Sequence, residues 1–350
     1  HWYRRAGRAR RAHLMRSLGF LVAASAALAV SVVAQARLIA PEVSDAAITQ
    51  DGFPRTLEEY GFFVHADAQI PTIGVEPYEL NTPLYSDGAD KLRFIYLPSG
   101  KTIKANGEGL LDIPEGSAII KTFAFGEGDN RRLIETRVLL HRADGWLALP
   151  YRWNEEQTEA KLALAGGRVP ITTPSGEEIS YRIPNKNQCK ACHSVDGEVI
   201  PIGPKARNLS SEWLTSMLGK GALDHVPVGA DTLPLSTNAK ASTDARARAY
   251  LDVNCAHCHR PGGGASNSGL DLSWEQTDAF ALGVKKPPVA AGRGAGGLLV
   301  SIEPGAPDKS ILVHRMNSNE PGVAMPELGR STVDHEAVDL MRQWIGEMPQ

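Results

Sequence analysis

All four cysteines of this 350-residue chain fall within two copies of one pattern. "QCKACHS" sets Cys189 and Cys192 two residues apart with His193 directly after them, and "NCAHCHRPGGG" repeats the arrangement with Cys255, Cys258 and His259. Thiols at this spacing suit disulfides, a zinc site or covalent attachment of an organic group. Two disulfides or a zinc site would use the thiols but leave the two following imidazoles unexplained. Covalent haem attachment uses every position. The thiols form thioethers to the haem vinyl groups, and the residue after the second thiol is held beneath the ring, where imidazole binds iron. The expectation is two c-type haems, held through Cys189, Cys192, Cys255 and Cys258, with His193 and His259 as iron ligands.

Those residues need elements to position them. Residues 90–184 carry strand signals: "KLRFIYLP", "AIIKTFAF", "RRLIETRVLLH" and "WLALPYRW" are rich in Ile, Val, Leu and aromatics. Turn clusters such as "SGK", "GEGDN" and "RADG" separate them, as an antiparallel β unit requires. From about residue 185 the texture changes to short helices and loops. "STDARARAYLDVNCAHC" offers Ser242 or Thr243 as a cap, and Ala247, Tyr250 and Leu251 recur at helical spacing into the second motif. In the last segment Val338, Met341, Trp344, Ile345 and Met348 share one helical face. The fold class expected is α+β and multidomain, an N-terminal antiparallel β unit followed by mainly α cytochrome c-type haem segments. The boundaries are a leader over 1–36, a β-rich region over 37–184, a first haem segment over 185–242 and a second over 243–350.

The leader reads as an export signal. Six arginines precede the apolar run "LGFLVAASAALAVSVVAQA", which closes on an A-x-A cleavage pattern at Ala34–Ala36. The chain is therefore expected in the periplasm, with no stable membrane span after signal cleavage. Without the leader's arginines, 31 basic residues stand against 40 acidic ones, a net charge of −9. That balance does not suggest nucleic acid. "GRGAGG", Gly292–Gly297, matches G-x-G-x-x-G in letters only. Pro287 and Pro288 precede it where a dinucleotide fold needs a strand.

Residues 243–350, with a helix into "CAHCHRPGG", the loop "KPPVAAGRGAGG", the Met-Pro loop "EPGVAMPELGR" and a closing helix, resemble a class I cytochrome c domain. With "YRIPNKNQCKACH" and "PIGPKARNLS", the chain from about residue 75 resembles a bacterial dihaem c-type cytochrome family of poorly defined role. The resemblance implies electron transfer between periplasmic redox proteins, with an exported β-helix protein as a possible associate. Met325 lies in a Gly/Pro loop rather than a helix, where the distal loop of a class I cytochrome c sits, and is the expected sixth ligand of the second iron ahead of Met316 or His314. For the first iron the candidates are His65, His141, Met217 and His225. His257 is expected at the surface, and Arg293 is expected to pair with a haem propionate. The leading function is a periplasmic electron carrier. A peroxidase-like dihaem oxidoreductase with one open site, or a subunit docked through its β unit, are the alternatives.

Overall fold

The computed structural model describes residues 42–289 and 292–349. The expected leader lies outside the described residues. The described residues from Val43 onward form one compact unit.

Its centre is a six-stranded antiparallel meander. The strands run in chain order: β3 (Val75–Tyr78), β4 (Asp90–Tyr96), β5 (Ala118–Phe125), β6 (Arg132–Arg142), β7 (Gly145–Trp153) and β8 (Ala160–Leu162). Before them lies the small hairpin β1 (Phe63–His65) and β2 (Ile70–Pro71), and after them the hairpin β9 (Gly167–Thr172) and β10 (Glu178–Ile183). A two-residue pair, β11 (Ser194–Val195) and β12 (Glu198–Val199), follows the first cysteine motif.

Because side chains alternate across a pleated sheet, each strand supplies two faces. Phe94, Ile120, Val138, Leu149 and Tyr151 point to one face, where Ile48, Leu57, Tyr60 and Phe62 of the preceding chain cover them. Ile95, Ile119, Leu139 and Ala148 point to the other. There they pack with Cys189, Leu209, Leu214 and Met217, so the first cysteine motif shares a core with the sheet.

Six α-helices are present among the described residues: α1 (Asp45–Thr49), α2 (Lys186–Cys192), α3 (Ser211–Gly219), α4 (Thr243–Asn254), α5 (Ile311–Met316) and α6 (His335–Gly346). Helices α4 and α6 pack through Tyr250, Leu251, Val338, Met341, Trp344 and Ile345. Two side-chain bonds fasten the pair: Tyr250 donates to Asp334 at 3.0 Å, and Trp344 donates to Asp244 at 2.8 Å.

The expected fold class is corrected here. The chain is β-rich around one six-stranded sheet, and the part beyond residue 185 is not a set of mainly α cytochrome c-type segments. Its five helices are short, and most of the chain between them is loop, turn and 3-10 geometry. Glycine and proline punctuate this part too often for apolar periodicity to extend; one face of the sheet supplies the core around the first motif, and α4, α5 and α6 build a separate one around the second. No helix among the described residues is long and apolar enough to cross a membrane.

Candidate functional site

The first motif is built on α2. Asn185 caps this helix, accepting from Gln188 N at 2.8 Å while Gln188 Oε1 accepts from Asn185 N at 3.0 Å. This reciprocal box fixes where the helix begins. Cys189 and Cys192 then fall one turn apart on the same side, and His193 closes the helix. The His193 Nδ1 lies 2.9 Å from the Ile200 carbonyl, and Ile200 N donates back to the His193 carbonyl at 2.7 Å. A carbonyl can only accept, so Nδ1 carries the proton and Nε2 keeps its lone pair.

The second motif reaches the same state by other means. Ser242 caps α4, accepting from Ala245 N at 3.1 Å. The helix delivers Cys255 at its end, and the chain turns so that His259 N donates to the Cys255 carbonyl at 2.9 Å. The His259 Nδ1 lies 3.0 Å from Ser268 Oγ. That hydroxyl has one proton and gives it to the Ala265 carbonyl at 2.7 Å, so it accepts from His259. Both imidazoles are thus held with Nδ1 protonated and Nε2 available, the arrangement second-shell partners impose on metal-ligating histidines. Burial favours the neutral ring in both, pushing His193 down to about 4 and lowering His259.

The chain between the motifs, residues 194–254, closes on itself. Val195, just after the first motif, bridges Gly263, just after the second, and Asp196 N donates to the Gly262 carbonyl at 2.9 Å. A Cβ at Gly263 would collide with the Cys258 carbonyl, so only glycine lets the loop after the second motif fold back on Cys258. A buried ion cluster reinforces it. Lys205 and Arg207 both bond Asp252 of α4, at 2.9 and 3.1 Å, and Arg207 also reaches Glu275 at 2.5 Å.

Cys189, Cys192 and His193 line a cavity between the sheet, α4 and the loop 326–330. It opens to solvent at its mouth, and the empty space, open solvent included, is about 1590 Å³. Apolar side chains such as Leu80, Ile119, Leu139 and Val253 form much of the wall. Across the sheet floor run Arg93, Lys121 and Arg137, cross-strand neighbours on β4, β5 and β6.

All four cysteines are free thiols. Burial raises the Cys189 and Cys258 thiols to about 11 and Cys255 to about 12, the reverse of an activated redox dithiol. Among the described residues no three His, Cys, Asp or Glu side chains converge to hold a metal ion, so the thiols do not assemble as a four-cysteine zinc site. At the first motif the donor set fits a covalently held haem: two thiols on one helical turn, one imidazole with Nε2 available, and an apolar cavity beside them; the second offers the same three donors from the turn after α4.

Met325 is half-buried in its loop. Its N donates to the Arg315 carbonyl at 3.0 Å, and its carbonyl accepts from Arg330 at 2.8 Å. Arg330 and Glu327, from the same loop, lie within electrostatic reach of Cys255 and Cys258, which puts the Met325 loop beside the second motif. Met316 is core, packed with α4 and α6. His314 sits against Gly296. Arg293 is exposed, with its guanidinium 2.6 Å from Glu320 and also on the Pro321 carbonyl.

The four candidates for the first iron lie off the cavity wall. Met217 is core, His65 and His225 are exposed, and His141 stacks on Trp146 with Nδ1 2.8 Å from the Ile113 carbonyl. His257 is a correction. Instead of lying at the surface it lines the cavity with His193, its Nδ1 buried without a partner, because the Val195–Gly263 bridge folds one motif onto the other.

Sequence reasoning also missed Arg93, Lys121 and Arg137. The signal was a cation in mid-strand in "KLRFIY", "AIIKTFAF" and "IETRVLL" (Lys91 precedes Arg93 in the first), each on the side facing away from the aromatic core. No family model, curated protein or solved structure matches the chain.

Proposed function

We propose that the chain is an exported dihaem c-type cytochrome that passes electrons between periplasmic redox partners. The observation that carries this reading is the matched state of the two motif histidines. Each is fixed by a hydrogen bond at Nδ1 with Nε2 left to bind iron, and each directly follows two thiols at haem-attachment spacing. Cys189 with Cys192 and Cys255 with Cys258 would hold the two groups covalently. His193 and His259 would ligate them, and Met325 remains the candidate sixth ligand of the second. Bound haem supplies one-electron iron chemistry.

The chain's own residues do the rest. The Val195–Gly263 bridge and the Asp252 ion cluster hold the two motifs side by side, which supports electron exchange between them rather than two independent sites. The leader supports a periplasmic location, and the net acidic surface supports a partner with a basic docking face.

A second reading has its own support. His65, His141, Met217 and His225 lie off the cavity, so the first iron is either served by His257 or keeps an accessible position. An accessible position would favour a peroxidase-like oxidoreductase. The visible spectrum of the reduced, haem-loaded protein separates the two. An unchanged spectrum under carbon monoxide supports the carrier, and a change in about half the haem supports one open site.

A further inference from the structure

Three cations lie in a row on the sheet floor of the cavity. In register, Arg93 of β4 opposes Lys121 of β5, and Lys121 opposes Arg137 of β6. Like charges directly opposite one another destabilise a sheet, and nearby apolar residues such as Ile119 and Leu139 deepen the conflict, with the Phe123 ring under Lys121 and Arg137 relieving part of it. The row holds one hydrogen-bonded counter-ion, and Glu79 lies within electrostatic reach of Arg93 without a hydrogen bond to its orphaned edge. Glu135 takes Arg137 through two hydrogen bonds, 2.6 and 2.9 Å, and also accepts from Tyr181 at 2.7 Å, so it is spent on Arg137.

Arg93 is 8 % exposed, and only its Nη1 is engaged, on the Lys91 carbonyl at 3.0 Å. Its Nε and Nη2 are buried without a partner. Those atoms form one edge of the guanidinium fork, the edge that takes both oxygens of a carboxylate. Lys121 is the least buried residue of an otherwise buried strand, its ammonium standing 5.1 Å over the Phe123 ring. Orphaned buried donors of this kind are costly unless something fills them.

We propose that Arg93 and Lys121, backed by Arg137, form a carboxylate-binding site in the floor of the cavity. The acid it takes has an apolar body, since the cavity walls around the row are largely apolar. Two sources share that chemistry: a propionate of the haem held at Cys189 and Cys192, or a free aliphatic carboxylate. The first source rests on the dihaem reading and the second does not.

The test compares the full-length protein, as purified, with Arg93→Met and Lys121→Met, after haem content has been measured by intact mass. Both substitutions keep the volume and remove a repulsive charge, so the variants fold at least as well as the parent. Hexanoate is the probe for the free acid, read by calorimetry and by the thermal midpoint. Redox titration reads the propionate.

If a propionate fills the site, both variants lower the potential of one haem only, because a nearby cation favours the ferrous state, and hexanoate does not bind the parent. If a free acid fills it, hexanoate binds the parent and raises its midpoint. Each variant then weakens that binding roughly tenfold to a hundredfold, with both potentials unmoved. Absence of haem with retained hexanoate binding removes the dihaem reading but keeps the site. Unmoved potentials together with no hexanoate binding overturn the proposal.

Discussion

At the residue scale the chemistry rests on where protons sit. Ser268 Oγ is the acceptor that keeps His259 in its Nδ1-protonated form. Its replacement by alanine removes that acceptor and, in the proposed dihaem protein, would weaken the ring's donation to iron. In Ser268→Ala, the potential of one haem should rise while the other stays put, as redox titration would show. Coincident potentials in variant and parent would remove the role given to Ser268.

Lys121 of the row, with Lys91 two residues before Arg93 on the same strand face, makes a separate prediction about pH. Burial, aided by neighbouring cations, pushes the Lys91 ammonium down to about 7 and Lys121 well below its usual range. In the unfolded chain both return to roughly 10.4. Between those values the unfolded state binds more protons than the native one, so stability should rise with pH from about 7 into the alkaline range. Urea melts across that window should show the rise in the parent and a shallower one in Lys121→Met. A flat profile in the parent would contradict it.

At the element scale the two motifs depend on what ties them together. Asp252 is fully buried on α4 and answers both Lys205 and Arg207, and Arg207 is itself only 2 % exposed. Asp252→Ala leaves two cations short of their main partner in the interior, which should destabilise by about 3–5 kcal/mol in denaturant melts. Gly263→Ala forces a Cβ against the Cys258 carbonyl, so about 1–3 kcal/mol is expected from overpacking. Its effect should centre on the second motif, visible as a changed haem spectrum.

These elements differ in how far the sequence disclosed them. The segments containing β4 to β7 were legible because β-branched and aromatic residues are dense there and turn clusters separate them. The face Val338, Met341, Trp344 and Ile345 of α6 was legible because 3.6-residue periodicity survives over three turns. The loops beyond residue 185 were read as mainly helical segments and are not. Their conformation is set by contacts distant in sequence, such as Val195 with Gly263 and Arg207 with Asp252, which no local window contains. His257 was misplaced for the same reason.

At the scale of the whole molecule the sheet explains the size of the chain. One face is closed by the N-terminal segment through Ile48, Tyr60 and Phe62, and the other carries the first motif through Cys189 and its neighbours. A carrier built only to hold two haems would not need that sheet. Here it supplies a wall and floor of the cavity, and the charges set in that floor.

The central claim is that the two motifs each carry a covalent haem. The most direct measurement is the intact mass of the full chain, denatured, after expression in a host that matures c-type cytochromes. The account predicts a polypeptide heavier by two haem groups that no solvent extraction removes. Cys189→Ala/Cys192→Ala should remove one of the two and leave the other in place. A mass equal to the polypeptide alone, with four titratable thiols or two disulfides, would contradict the account.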